Sequence, residues 1–244
     1  MGRLTWLPGE LVEAVPENQR VRTLWLRVDD WTPHRAGQHV DLRLTADDGY
    51  EAVRSYSLAS PASDGAVSVT VERLDDGEVS PYLVDEMRVG DQLELRGPIG
   101  GYFVWDAGDP RPLMLVGGGS GVVPLVAMIR QRVGEGAAAP MRLLYSAGSA
   151  DDLLFGRELD DAGEGVEVRH TLTRSQPEGW TGYRRRVDRP MLEEVAWPLE
   201  ADPRAFVCGP TAFVEHVAER LLELGYPPGD VRTERFGPTG GRDG

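Results

Sequence analysis

The sequence predicts two domains: a small antiparallel β-barrel over residues 1–107, then an α/β domain with a parallel sheet over residues 112–244. Three observations lead there. Up to about Asp106, short alternating runs at Val21 to Val28, His39 to Leu44, Val53 to Leu58, Ala66 to Arg73 and Gln92 to Arg96 are separated by turn residues, the spacing of a small barrel. Beyond Pro112 the pattern becomes strand then helix: Leu113 to Val116 then Leu125 to Val133, Met141 to Ser146 then Leu153 to Ala162, Val166 to Leu172, and Phe206 to Cys208 then Phe213 to Leu224. Such alternation signals a parallel sheet with crossover helices. Between the two patterns, Asp106-Ala107-Gly108-Asp109-Pro110-Arg111-Pro112 has the composition of a linker. A chain of 244 residues has room for two modest cores.

Composition narrows the function classes. The formal charge of -14 disfavours nucleic acid as a partner. All the basic residues are arginine, read as a bias of the source genome, since arginine's particular chemistry cannot be needed at every surface site. No stretch approaches the ~18 apolar residues of a membrane span, and the start lacks a basic segment followed by an apolar one, so a cytoplasmic protein is expected. One cysteine excludes an internal disulfide and a four-cysteine iron-sulfur cluster. Histidines at 34, 39, 170 and 216 show no metal-ligand spacing, and no metal site is expected.

Four segments carry chemistry. In Arg54-Ser55-Tyr56-Ser57-Leu58, strand alternation puts Arg54 and Tyr56 on one face and Ser55 and Ser57 on the other. A cation beside a flat ring suits a ligand with phosphates and an aromatic system, although a half-buried Tyr next to a solvated Arg is the plain structural reading. In Gly77-Glu78-Val79-Ser80-Pro81, Ser80 and Pro81 make an N-cap and N1 pair for a helix over Tyr82 to Met87, while Leu93 to Gly97 reads as a strand with a Gly-Pro exit. In Gly117-Gly118-Gly119-Ser120-Gly121-Val122-Val123-Pro124, a glycine loop joins a strand to a helix. Its close-approaching backbone and the helix's positive end suit a pyrophosphate, and Pro124, where the Rossmann pattern has its third glycine, fits an early helical position. In Cys208-Gly209-Pro210, a buried strand ends in a turn and then a helix. Cys208 would stand at the strand's carboxyl end, where open α/β sheets bind ligands; a lone cysteine is otherwise ordinary packing.

These segments, in this order over about Leu4 to Phe236, resemble the ferredoxin-NADP reductase superfamily of flavoproteins. The resemblance implies a six-stranded flavin-binding barrel followed by an NAD(P)-binding domain. It implies that Arg54 pairs with flavin phosphate, that Tyr56 lies against the isoalloxazine ring, that Ser57 hydrogen-bonds near flavin N5, and that Leu58 completes this element. It implies that Gly77, Val79 and Ser80 hold the flavin pyrophosphate. Gly118, Gly119, Gly121 and Pro124 look like one NAD(P)H signature, and Cys208 with Gly209 and Pro210 like the second, near the nicotinamide. Glu234 and Phe236 are similar to the acidic and aromatic positions beside the flavin. Ser57, Cys208 and Glu234 are thus the candidates for work at the reacting atoms, Cys208 by packing against the nicotinamide rather than by nucleophilic attack.

The implied chemistry is two-electron hydride uptake from a nicotinamide and one-electron release to an acceptor, with the flavin converting between them at the seam of the two domains. FAD is the expected flavin, with FMN the alternative. Thr173-Arg174 and Arg184 resemble the basic positions of NADPH-using members, which favours NADPH over NADH, whereas Gly148 stands where related sequences often carry arginine. The expected partner is a one-electron acceptor protein: a ferredoxin, a flavodoxin or an oxygenase component. A non-catalytic regulatory or electron-transfer subunit, or a reductase of free flavin, are the rival readings.

Overall fold

The computed structural model describes residues 4–46, 48–61 and 66–236, and the chain divides into two compact units, Met1–Asp106 and Ala107–Gly244. The Pro61 to Ala66 segment, too short in the sequence to identify as an extended adenine-binding loop, lies largely outside the described residues.

The first unit is a six-stranded antiparallel sheet in the order β4-β3-β6-β1-β2-β5. The strands are β1 (Leu7–Pro16), β2 (Val21–Val28), β3 (His39–Thr45), β4 (Glu51–Ser57), β5 (Ala66–Glu72) and β6 (Gln92–Ile99). An isolated bridge from Leu58 to Val69, just past β4, joins the two edge strands and closes the sheet into a barrel. Leu11, Leu24, Leu26, Leu42, Leu58, Val69 and Leu95 are fully buried inside it. β1 escapes sequence reading because a register shift between Leu11 and Glu13 breaks its alternation, and Pro8-Gly9 reads as a turn. Gly9 leaves room there for Leu95, whose Cδ2 would have to shift from a Cβ 2.7 Å away. β6 does not stop at Gly97 but runs through Pro98 to Ile99, paired with His39 of β3.

One charge is buried in the barrel wall. Asp41 on β3 is 8% exposed; it accepts hydrogen bonds from Ser55 Oγ and Arg96 Nη2, each at 2.6 Å. Burial alone would raise its carboxyl, but these hydrogen bonds and the Arg96 charge outweigh it and hold the group below the ordinary value of 3.8. Arg96 in turn lies over the Trp6 ring, 4.7 Å from its centroid, and Arg43 lies 4.4 Å from the same ring.

The second unit is a five-stranded parallel sheet, order β11-β10-β7-β8-β9. Its strands are β7 (Leu113–Gly118), β8 (Met141–Ala147), β9 (Val166–Leu172), β10 (Arg204–Pro210) and β11 (Val231–Phe236), and its helices α1 (Val123–Glu135), α2 (Gly156–Asp160), α3 (Arg189–Val195) and α4 (Thr211–Glu223). The helix expected over Leu153 to Ala162 is only the single turn α2, because Phe155 adopts a left-handed backbone, φ 57°, that interrupts it. Helix α3 is not among the elements that alternation predicts, yet Asp188 caps it by accepting from Met191 N–H at 2.9 Å and Pro190 occupies its first turn. Met114, Val116, Leu144 and Val207 pack on α3 and α4 through Met191, Leu192, Val214, Val217 and Leu221. Alternation sends Leu113, Leu115 and Leu143 to the opposite face.

The chain starts in the middle of this sheet. It lays β8 and β9 on one side of β7, then returns to lay β10 and β11 on the other. β7 and β10 are neighbours in register, Cys208 opposite Gly117, and the segments leaving them separate in opposite directions. Gly119–Val122 forms one 3-10 turn between β7 and α1. Gly121 allows that turn to lie against the end of β10: a Cβ there would be 2.4 Å from Cys208 O and 2.7 Å from Gly209 Cα. Gly119, at φ 56°, has open space beside it.

Two outcomes follow from this packing. Gly121→Ala, which forces backbone against backbone, should lower stability by on the order of 3 kcal/mol, and Gly119→Ala, which meets only left-handed strain, by roughly 1–2 kcal/mol; chemical denaturation that reverses their order would count against the close approach. For Asp41 the folded carboxyl lies below its unfolded value, so its stabilisation is complete above about pH 4 and is lost as pH falls through the folded value. The fall in unfolding temperature between pH 7 and pH 3 should therefore be smaller in Asp41→Asn than in the parent protein, and an unchanged difference would show that the Ser55 and Arg96 contacts do not hold the charge.

Candidate functional site

In the first unit the candidate residues lie on β4 and on the turn after β5. Arg54 and Tyr56 share the face of β4 that also carries the buried Ala52, as alternation requires. Tyr56 is half-buried against the barrel core; burial pushes its phenol up to about 12, partly opposed by the Arg54 charge, so it stays a neutral ring. Arg54 is about half exposed and donates from Nη2 to Glu78 Oε2 at 2.8 Å. Ser57, the last residue of β4, pairs with His39 of β3. Leu58 follows, its N–H donating to Gln38 O at 2.9 Å as it closes the barrel.

The Gly77 to Ser80 turn is tight. Gly77 N–H donates to Leu74 O at 2.9 Å, and a Cβ on Gly77 would lie 2.7 Å from Ser80 Oγ. Val79 is buried in the barrel core. Ser80 does not cap the helix that follows, contrary to the expectation from sequence: its Oγ points back over the turn and accepts from Leu74 N–H at 3.0 Å. The helix itself is one π turn over Tyr82–Glu86, with no side chain capping it. The Arg54–Glu78 contact joins β4 to this turn, so two segments far apart in sequence meet at one charged edge of the barrel.

In the second unit the candidates collect at the carboxyl ends of β7 and β10, on either side of the point where the sheet order reverses. Gly118 lies under the Phe213 ring of α4, where a Cβ would be 2.9 Å from Cδ1. The start of α1 has Pro124 in its first turn, no acidic residue there and no side-chain cap. Val123 N–H donates to Ser120 O of the 3-10 turn that leads into the helix, so the amides left for an anion are those that open that turn rather than those of α1 itself. Cys208 is buried, and Gly209 and Pro210 carry β10 to the start of α4. Burial pushes the Cys208 thiol well above its ordinary value, the Glu234 carboxylate adds to this, and the Gly209 backbone only partly opposes it. It is therefore a thiol and not a nucleophilic thiolate. Glu234 stands opposite Cys208 on the edge strand β11, and Phe236, 36% exposed, ends that strand opposite Pro210.

The basic residues behave differently from one another. Arg174, past the end of β9, donates its backbone N–H to Gly148 O at 2.8 Å, and its Cδ would lie 3.4 Å from a Cβ on Gly148. Arg184 instead turns its guanidinium to Trp180 O, 2.7 Å away. Sequence reading missed Asp152. Its Oδ2 accepts from both Ser149 N–H and Ser149 Oγ at 2.8 Å, which folds a carboxylate back over the end of β8, 2.7 Å from where a Gly148 Cβ would be. The Ser149-x-x-Asp152 capping-box spacing was the available signal. No helix among the described residues is long and apolar enough to cross a membrane.

The residues present suit the two groups the sequence implied. An exposed arginine beside a half-buried ring fits a phosphorylated aromatic ligand, and an uncapped, acid-free helix start behind a glycine turn fits a dinucleotide.

Comparison with known proteins agrees with this division. Residues 9–104 match the oxidoreductase FAD-binding domain family and residues 115–219 the oxidoreductase NAD-binding domain family. The chain is 36% identical to ferredoxin-NADP reductase B of Sorangium cellulosum over 211 residues, covering 82% of this chain and 84% of that protein. It is 32% identical over 247 residues to the glycine betaine monooxygenase reductase subunit of Chromohalobacter salexigens, with 96% of this chain aligned but only 66% of that relative's length spanned. Among solved structures, the flavohem-like FAD/NAD-binding domain of nitric oxide dioxygenase from Vibrio cholerae superposes with a TM-score of 0.86 at 25% identity, over 95% of this chain and 99% of that one. With the barrel, the reversing parallel sheet and both domain families in register, the chain belongs to the ferredoxin-NADP reductase superfamily, as a two-domain FAD- and NAD(P)-binding oxidoreductase.

Proposed function

We propose that this protein is an NAD(P)H-dependent flavoprotein reductase that passes electrons from NADPH through bound FAD to a one-electron carrier, such as a ferredoxin, a flavodoxin or an oxygenase component. The observation that carries the reading is the reversal of sheet order between β7 and β10, with the glycine turn and the Cys208-Gly209-Pro210 turn on its two sides. Ligands of open α/β sheets bind at such a point. Relatives named as a ferredoxin-NADP reductase and as a monooxygenase reductase subunit support the choice of acceptor. A cytoplasmic location goes with this reading.

When bound, the flavin supplies the conversion between two-electron and one-electron transfer. The chain's part is binding and placement. Arg54 offers a cation to the flavin phosphates, Tyr56 a neutral ring face, and Ser57 a hydroxyl at the end of β4; Gly77, Val79 and Ser80 form the turn beside them. Gly119, with open space beside it, would let backbone approach the dinucleotide, Gly118 and Gly121 seat that turn on Phe213 and on the end of β10, and the turn that leads through Pro124 into α1 would hold its phosphates. Cys208, buried and neutral, would back the nicotinamide position from within the strand end, with Gly209 and Pro210 forming the turn beside it. Glu234 and Phe236 border it from the adjacent strand. Hydride transfer needs no covalent intermediate, and a protonated Cys208 offers none.

NADPH is favoured by Arg174 at the end of β9, available to a 2′-phosphate. NADH is the second reading, favoured by Asp152, because a carboxylate at the end of the second strand holds a free 2′-hydroxyl in dinucleotide-binding folds. Arg184 adds less than the sequence implied, since it is engaged with Trp180.

The purified protein should be yellow, and anaerobic NADPH should bleach its flavin bands within seconds. A colourless protein that oxidises NADPH only when flavin is added would mean a reductase of free flavin, and a yellow protein bleached by neither nucleotide would mean a non-catalytic subunit. Replacing Arg174 by Ala should raise the KM for NADPH about tenfold, the order of one charge-assisted hydrogen bond at an exposed site, and leave that for NADH unchanged. Equal effects on both nucleotides would remove Arg174 from the 2′-phosphate position.

A further inference from the structure

The guanidinium that the proposed function assigns to a flavin phosphate is already engaged with an anion of the protein's own. Arg54 Nη2 donates to Glu78 Oε2 at 2.8 Å, and Tyr50 OH donates to Glu78 Oε1 at 3.2 Å. Arg54 Nη1 is occupied by the carbonyl of Val53, also at 2.8 Å. Glu78 is the second residue of the Gly77 to Ser80 turn, so the carboxylate stands between the two segments that would hold the phosphates.

We propose that Glu78 is a built-in competitor for Arg54, and that it sets how strongly the site prefers a phosphorylated flavin to a phosphate-free one. The inference rests on the flavin reading of Arg54. Side-chain exposures of 50% for Arg54 and 52% for Glu78 make this a surface pair, and such pairs contribute little and exchange readily. A phosphate carries more charge and more acceptor oxygens than a carboxylate, so it can take the guanidinium. Once it does, Glu78 keeps only the Tyr50 hydroxyl and remains near the incoming negative charge. That repulsion acts on FAD and FMN but not on riboflavin, whose binding leaves the Arg54–Glu78 pair in place.

The full-length chain, freed of flavin, is titrated with FAD and with riboflavin by flavin fluorescence, as parent, Glu78→Gln and Arg54→Ala. Glu78→Gln should bind FAD roughly three- to tenfold more tightly, the order expected for removing one like charge about 5 Å away near a solvated surface, with riboflavin affinity unchanged. The gain should shrink in 0.5 M salt, where the screening length falls to about 4 Å. FAD affinity that is unchanged or weaker in Glu78→Gln overturns the inference, and a weaker one would make Glu78 a support that orients Arg54. Equal changes for FAD and riboflavin also overturn it, since the effect would then not act through phosphate. If Arg54→Ala binds FAD as the parent does, the flavin reading of Arg54 fails and the inference with it; if Arg54→Ala binds FAD more weakly while Glu78→Gln gains nothing, Glu78 alone is wrongly assigned.

Discussion

The close approach of two strand ends organises the second unit. β7 and β10 run side by side in register, and the chain leaves them in opposite directions, which opens a crevice only if neither exit fills it. Gly121 meets that requirement, since any side chain there would strike the Cys208 carbonyl. Gly118 and Gly209 extend the same constraint to the Phe213 ring of α4, with ideal Cβ positions 2.9 and 2.8 Å from its Cδ1. The glycines therefore have separate tasks. Three of them seat the loop on its neighbours, while Gly119, with open space beside it, faces outward. A motif that reads as one phosphate-binding signature is physically a packing element with a single open position.

The barrel has a comparable hinge point at Leu58. The strand that carries Arg54, Tyr56 and Ser57 is an edge strand, and edge strands are weakly specified unless closed. Leu58 closes it by pairing with Val69, and its buried side chain fixes register. A slip of one residue would send Arg54 and Tyr56 to the opposite face, where the buried Asp41 receives Ser55 and the partly exposed Arg96. Core packing on one face and a charged network on the other thus specify the same register.

Most of this was legible in the sequence, for identifiable reasons. Alternation located five barrel strands and the order of the α/β elements, because inward and outward residues differ in polarity there. It failed on β1, where a bulge changes the period, and on β11, whose Val-Arg-Thr-Glu-Arg-Phe is an edge strand with mixed exposure on both faces. Motif spacing located the glycine turn and the Cys-Gly-Pro turn. It misassigned Ser80, because the Ser-Pro cap signature is blind to a competing donor, Leu74 N–H, six residues upstream. It missed Asp152 because that residue lies beyond the strand end in sequence and is brought back over it only by the Ser149 capping turn. Side-chain partners such as Glu78 on Arg54 and Trp180 on Arg184 depend on tertiary placement and leave no trace in spacing.

The protonation states of the site are consistent with the chemistry assigned to it. Tyr56 is pushed up to about 12 and the Cys208 thiol well above its ordinary value, both chiefly by burial, so neither exchanges a proton near neutral pH. An active site that worked by general acid-base catalysis would place a group with a pKa near the working pH at the reacting atoms. Tyr56 in the first unit and Cys208 in the second are kept neutral and packed, with the Glu234 carboxylate the one charge opposite Cys208 among the residues assigned to the nicotinamide, whereas Arg54, Glu78, Arg174 and Asp152 stand at exposed positions. On the proposed function, the exposed charges would serve recognition of phosphates and hydroxyls, and burial would keep Tyr56 and Cys208 from acting as proton donors or nucleophiles. That separation is what a protein needs if its bound cofactors carry the electron chemistry and the chain's role is to hold them in place.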